Sequence, residues 1–157
     1  MEELVWCFSL KNGLRLTEES DEEAESYEKE ALETLKDAAN EKGMWKIVKA
    51  YYACYFAAYS ILRVVGLKSE NHYCTFRALR FVFKELGINP RTISFCERLK
   101  EKRVEAQYYL KKASVDLDKV KEVVMELLRV KKEVKLKKNE IRKDFEEIVK
   151  GLAEKEL

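Results

Sequence analysis

From Trp45 to Val65 the chain runs without a glycine or a proline, and most of its positions are apolar. Read as a helix, Tyr51, Cys54, Tyr55, Ala58, Tyr59 and Leu62 share one face, with Tyr52, Phe56 and Arg63 beside it. A helix apolar nearly all round belongs inside a bundle or at a dimer interface. It is also unusually rich in phenol groups: Tyr51, Tyr52, Tyr55 and Tyr59 lie within nine positions. Each hydroxyl that is buried needs a hydrogen-bond partner, so this helix carries polar chemistry inside an apolar shell.

The rest of the chain is built to surround such a helix. Its 157 residues suit one domain, 1–157, with its own core. Five Gly, one Pro and abundant Lys, Glu, Leu and Ala favour helix throughout. Ser20 and Glu23 read as a capping box opening a helix with apolar positions at Ala24, Tyr27, Ala31, Leu35 and Ala38, ended by Gly43. Gly66 stops the Tyr-rich helix; Ser69 caps a third helix running to Leu86. Asn89-Pro90 starts a fourth, which runs to about Ala113. From Ser114 an apolar stripe (Val120, Val123, Leu127, then Ile141, Phe145, Ile148) continues as one long helix or two shorter ones. Ahead of these, Asn12-Gly13 fits a hairpin between Val5–Leu10 and Leu14–Leu16, or Gly13 caps a short helix over Glu2–Lys11; the helix is the preferred reading. The expected fold is all-α: an antiparallel four- to five-helix up-and-down bundle, with residues 114–157 as a C-terminal helical extension.

Charge narrows the function classes. The net charge is only +2, so any nucleic-acid binding must come from a local patch. Lys131–Lys143 holds seven Lys or Arg among thirteen residues, although a solvated helix face is the preferred reading of such a run. Cys7, Cys54, Cys74 and Cys96 form no CxxC pair and have no metal-ligand spacing to the lone histidine, His72, so no metal site is expected. Their simplest reading is as reduced, partly buried thiols in a cytoplasmic protein. No uncharged apolar run is long enough to span a bilayer, and no membrane role is expected.

No phosphate-binding glycine loop or dinucleotide fingerprint is present, and no cofactor is expected. Catalysis by a Ser-His or Cys-His pair would have to recruit His72, for which there is no local signature. The sharper candidate is the fourth helix, where Arg103 and Gln107 share a face and Tyr108 and Tyr109 follow. An arginine there can bind phosphate bidentately, and a tyrosine can stack on a base. Arg103 paired to Glu101 or Glu105 at the surface, with the aromatics in the core, fits the same spacing.

Those residues resemble the HEPN-domain family. The run Ala50-Tyr51-Tyr52-Ala53-Cys54-Tyr55-Phe56-Ala57-Ala58-Tyr59 is similar to its "AYYA.Y.A" helix. The order that follows, Gly66 to His72, an aromatic third helix, then Arg103…Gln107-Tyr108-Tyr109, is also family-like. The resemblance covers residues 22–113. It implies a bundle of four or more helices that forms a homodimer around the fourth helix. It further implies metal-independent ribonuclease activity in many members, which often act as toxins paired with a minimal nucleotidyltransferase antitoxin. The family's signature is an arginine followed after four to six residues by a histidine, a pair suited to moving a proton and holding charge at a phosphate. Here Arg103 matches, but Tyr108 occupies the histidine position. Tyrosine, with a reference pKa near 10, is a poor base at neutral pH.

The expected catalytic residues are therefore Arg103, with Tyr108 or His72 as unconventional partner, and the expected binding residues are Tyr51, Tyr52, Tyr55, Gln107 and Tyr109. Tyr108 or Tyr109 is also a conceivable acceptor of a transferred nucleotide. Three functions follow in order. The first is a HEPN-like module that binds a nucleotidyltransferase partner, a nucleotide or RNA; the second is an active endoribonuclease toxin; the third is a helical adaptor with no nucleic-acid role.

Overall fold

The Tyr-rich segment forms the central helix, and every other layer is arranged around it. A computed structural model describes residues 1–155. In chain order the elements are α1 (Glu2–Ser9), β1 (Leu14–Leu16), α2 (Asp21–Ala38), α3 (Met44–Val65), β2 (Leu67–Ser69), α4 (His72–Glu85), α5 (Arg91–Tyr108), α6 (Leu117–Leu136) and α7 (Lys138–Lys155). The protein is all-α, with a single two-stranded sheet among the described residues.

In α3 nearly every residue from Ile47 to Val65 is buried, because α2, α4, α5, α6 and α7 all pack against it. Its closest companion is α2, whose fully buried residues are Ala24, Ala31 and Ala38. Alanines seven apart make one narrow stripe, and the absence of bulk lets two backbones approach. The cap of α2 is half the expected box. Ser20 Oγ accepts from the Glu23 amide at 3.1 Å, but the Glu23 carboxylate does not reach back; it accepts from Arg63 Nε at 2.6 Å instead. The helix stops at Ala38, short of Gly43, which instead stands at the N-terminus of α3 with φ +59°.

Gly66 ends α3 in the left-handed conformation, φ +82°. A Cβ there would collide with the Arg142 guanidinium and come within 2.7 Å of Thr17 O, so the position requires glycine. Immediately after it, β2 pairs antiparallel with β1, Leu14 opposite Ser69 and Leu16 opposite Leu67. Arg63, 3% exposed, fastens this corner: its guanidinium donates to Thr17 Oγ1, Leu67 O and Glu18 O at 3.0–3.2 Å. Each alternative drawn for the N-terminus supplies one half of the observed arrangement. Residues 2–9 are helical, and residues 14–16 are a strand whose partner lies fifty residues away. Gly13 is not a left-handed cap; it is the point where the chain passes so close to Cys7 O that no Cβ fits.

Three other local expectations are corrected. Ser69 is not the cap of α4, because it is engaged in β2; Asn71 Oδ1 caps the helix by accepting from the Cys74 amide at 3.1 Å. The fourth helix ends at Tyr108 rather than near Ala113, with Leu110 at φ +53° turning the chain away. Cys7 and Cys74 are not free thiols. α1 lies against α4 and brings their Cα atoms to 5.6 Å, where they form a disulfide. Cys54 and Cys96 remain free and buried.

The chain after Ser114 is two helices, and both pack on the bundle. Val120, Val124, Leu127 and Val134 of α6 belong to the same core as α3. Two cations of the Lys131–Lys143 run are drawn inward: Lys131 Nζ is buried and donates to Ala24 O at 3.3 Å. Arg142 Nη1 donates to Thr17 O at 2.8 Å and Val65 O at 2.9 Å. Lys132, Lys135, Lys137 and Lys143 are exposed.

Candidate functional site

Three elements meet where α3 presents its tyrosines. Tyr51, Tyr52 and Tyr55 lie within five positions on α3, His72 is the first residue of α4, and Arg103 and Gln107 stand one turn apart on α5. The tight β2–Asn71 connection, capped onto α4, delivers His72 to the α3 face.

The imidazole of His72 lies flat on the Tyr55 ring, centroids 4.0 Å apart at 21°, and its Nδ1 is hydrogen-bonded to Tyr51 Oη at 2.7 Å. Tyr55 Oη in turn meets Thr75 Oγ1 at 3.1 Å, so the buried phenols find their partners. The Arg103 guanidinium sits 4.9 Å from the Tyr51 ring centroid and 5.5 Å from that of Tyr52, and its Nη1 donates to Tyr52 Oη at 3.0 Å. Arg103 is therefore not the surface ion-pair arginine that its spacing to Glu101 and Glu105 also allowed. Among the described residues it has no carboxylate within ion-pair distance. Its Nε and the Gln107 Oε1 are buried without a hydrogen-bond partner.

These neighbours fix the protonation states. Burial, then the charges of Arg103 and Lys100, lower the His72 pKa from 6.5 to about 4, so the ring is neutral at pH 7. Burial pushes the phenols of Tyr51 and Tyr55 well above their ordinary value, keeping both protonated. Burial and the Arg103 charge pull the Lys100 ammonium down. At neutral pH the cluster thus combines a permanent cation, a neutral imidazole and neutral hydroxyls. Such a set can receive an oxyanion: Arg103 supplies charge and fork-shaped donors, and the half-buried Tyr52 ring supplies a flat apolar wall.

Of the expected site residues, Tyr51, Tyr52, Tyr55, His72 and Arg103 are brought together, and Gln107 stands one turn beyond Arg103 on α5. Tyr108 and Tyr109 are not. They sit at the end of α5, 67% and 70% exposed, with no aromatic or hydrogen-bond link to the cluster. Lys100 and Thr75 were absent from the expectation. Lys100 was legible, lying three residues before Arg103 on the same helix face. Thr75 was not, because its role depends on where α4 crosses α3.

Among the described residues no group of three His, Cys, Asp or Glu side chains is placed to hold a metal ion, and no helix is long and apolar enough to cross a membrane. No protein-family model, curated protein or solved structure matches the chain.

Proposed function

We propose that this chain is a HEPN-like helical module that binds a phosphate-bearing ligand, RNA or a nucleotide, at Arg103. We further propose that it works as a homodimer and as the HEPN half of a toxin–antitoxin-type pair with a minimal nucleotidyltransferase. One observation carries the reading: Arg103 is held over Tyr51 and Tyr52 with no carboxylate to neutralise it and with its Nε unpartnered. A guanidinium kept in a partly desolvated place without a counter-ion favours an incoming anion, and a phosphate matches its donor geometry. The resemblance supplies the kind of anion, because Arg103 is the residue that aligns with the family's arginine.

The test is fluorescence anisotropy with a labelled nucleotide and a labelled single-stranded RNA, using wild type, Arg103→Lys and Arg103→Ala. Binding that falls in both variants, and falls steeply with salt, supports the reading. Equal binding by wild type and Arg103→Ala overturns it. Absence of affinity at every salt concentration leaves the helical adaptor as the better account.

A second reading, a metal-independent endoribonuclease, is favoured by His72 lying in the same cluster as Arg103. In-line attack by a ribose 2′-hydroxyl needs a proton acceptor and a cation at the phosphate. In the tautomer whose Nδ1–H donates to Tyr51 Oη, His72 would accept that proton at Nε2, and Arg103 would hold the developing charge. The P–O5′ bond would break to leave a 2′,3′-cyclic phosphate and a 5′-hydroxyl end protonated by solvent. Tyr108 has no part in this route. Cleavage of labelled RNA without added metal, lost in both Arg103→Ala and His72→Ala, would favour it over simple binding.

A further inference from the structure

We infer that the groove between α5 and α6 is a track for the phosphate backbone of single-stranded RNA, leading along α5 beside the Arg103 cluster. The inference rests on the RNA-binding reading of Arg103 and extends it to residues of α5 that do not carry the resemblance.

The groove has two adjoining parts, of about 670 and about 320 Å³, which share Phe95, Arg98 and Lys119 and so form one channel. Its α5 wall carries Arg91, Phe95, Arg98 and Lys102. Their spacing of four, three and four residues aligns them on one helix face, from which Arg103 lies about 100° further round after Lys102. Arg91, Arg98 and Lys102 are exposed, and among the described residues none has a carboxylate within ion-pair distance. Across the groove, among the described residues, the α6 side presents one cation, Lys119, and three carboxylates, Asp116, Glu122 and Glu126. Lys119 is paired with Glu122 at 3.4 Å. The cations without counter-ions are thus all on α5, while the α6 wall repels an anion.

The stripe from Arg91 to Lys102 is roughly 16 Å long at 1.5 Å per residue. That length accommodates several successive phosphates at the ~3.4 Å axial spacing of a stacked strand. Phe95, half-buried, lines the groove between the arginines and supplies the aromatic ring on which a base could stack. Open cations in a row with an interleaved aromatic ring match a single strand, whose backbone is continuous and whose bases are free to turn inward.

The test compares a labelled mononucleotide with a labelled single-stranded RNA of about twelve nucleotides. Each is titrated into wild type, Arg103→Ala and the double variant Arg91→Ala/Arg98→Ala. Both replaced arginines are exposed, and circular dichroism checks that the fold is kept. The double variant is expected to bind the mononucleotide as wild type does, but the RNA about tenfold more weakly. Its salt slope should be smaller by about 1.4, since each lost single-strand phosphate contact lowers the slope by about 0.7. If RNA binding depends on Arg103 while the double variant keeps wild-type affinity and slope, the track is overturned and the Arg103 reading stands. Binding of the mononucleotide without binding of RNA has the same consequence. If wild type binds neither ligand, the Arg103 reading fails and the track with it. Displacement of RNA by polyglutamate of equal charge, at equal concentration, would assign the groove to acidic peptides and overturn the RNA track.

Discussion

Tyr51 Oη and His72 Nδ1 are hydrogen-bonded at 2.7 Å, and the burial of the ring at this contact, followed by the charges of Arg103 and Lys100, sets how His72 titrates. The His72 pKa is depressed in the folded protein, to about 4 from 6.5. The unfolded chain therefore takes up the proton first as pH falls. Stability due to the neutral imidazole is fully present above pH 6.5 and is lost on the way down to about pH 4. Wild type should lose about 1 kcal/mol more than His72→Gln between neutral pH and pH 4, solvent at the partly exposed ring screening the rest of the shift. Urea midpoints of the two proteins across that range provide the measurement. Parallel curves would mean that His72 titrates normally.

Arg63 should be among the least replaceable residues. Its guanidinium joins Glu23, Thr17, Glu18 and Leu67 across three segments, and α3 buries it. Arg63→Ala leaves two carbonyls and a hydroxyl without their donor and is expected to cost about 3–5 kcal/mol. Arg63→Lys should recover only part, because an ammonium cannot reproduce the fork. Denaturant unfolding of the two variants would show whether this ordering holds.

The Cys7–Cys74 disulfide closes a loop spanning 67 positions. In the chain-entropy account, opening such a loop lowers stability by about 4 kcal/mol. Adding reductant should shift the wild-type melting temperature down to that of Cys7→Ser, and should leave Cys7→Ser itself unmoved. A reductant-independent wild-type melt, with free thiols confirmed by alkylation, would contradict the tie.

Leu110 offers a gain. It is the only described non-glycine residue with positive φ, at +53°, and 81% of its surface is exposed. It follows the last turn of α5, where Tyr109 N and Lys111 N both donate to Glu105 O. Glycine is favoured at such a site, so Leu110→Gly should stabilise the protein by about 0.5–1 kcal/mol. A lower urea midpoint in the variant would show that the leucine side chain makes a compensating contact.

Periodicity disclosed the helices because it is local: the placements of α2, α3 and the Ser20 cap needed only residues within a few turns. The β1–β2 pair was hidden, since three-residue strands carry too little alternation to read and the partners lie about fifty residues apart. The disulfide was hidden for the same reason. At the site, Tyr51, Tyr52, Tyr55, His72 and Arg103 were legible as candidates from composition and resemblance. That Arg103 would rest on aromatic rings instead of Glu101 or Glu105 depended on the crossing of α3 and α5. Tyr108 was misplaced by its spacing, because five residues carry it about 140° around the helix from Arg103.

Lys131 and Arg142 donate to Ala24 O and Thr17 O, across 107 and 125 positions of chain. Carbonyls in the first thirty residues thus receive these bonds only from the last thirty. A chain emerging amino-terminus first cannot complete this corner until α6 and α7 have been made. Closure by such distant contacts costs more chain entropy than the local turns of a helix do. A fragment ending at residue 113 would lack the two side chains that reach back to Ala24 O and Thr17 O.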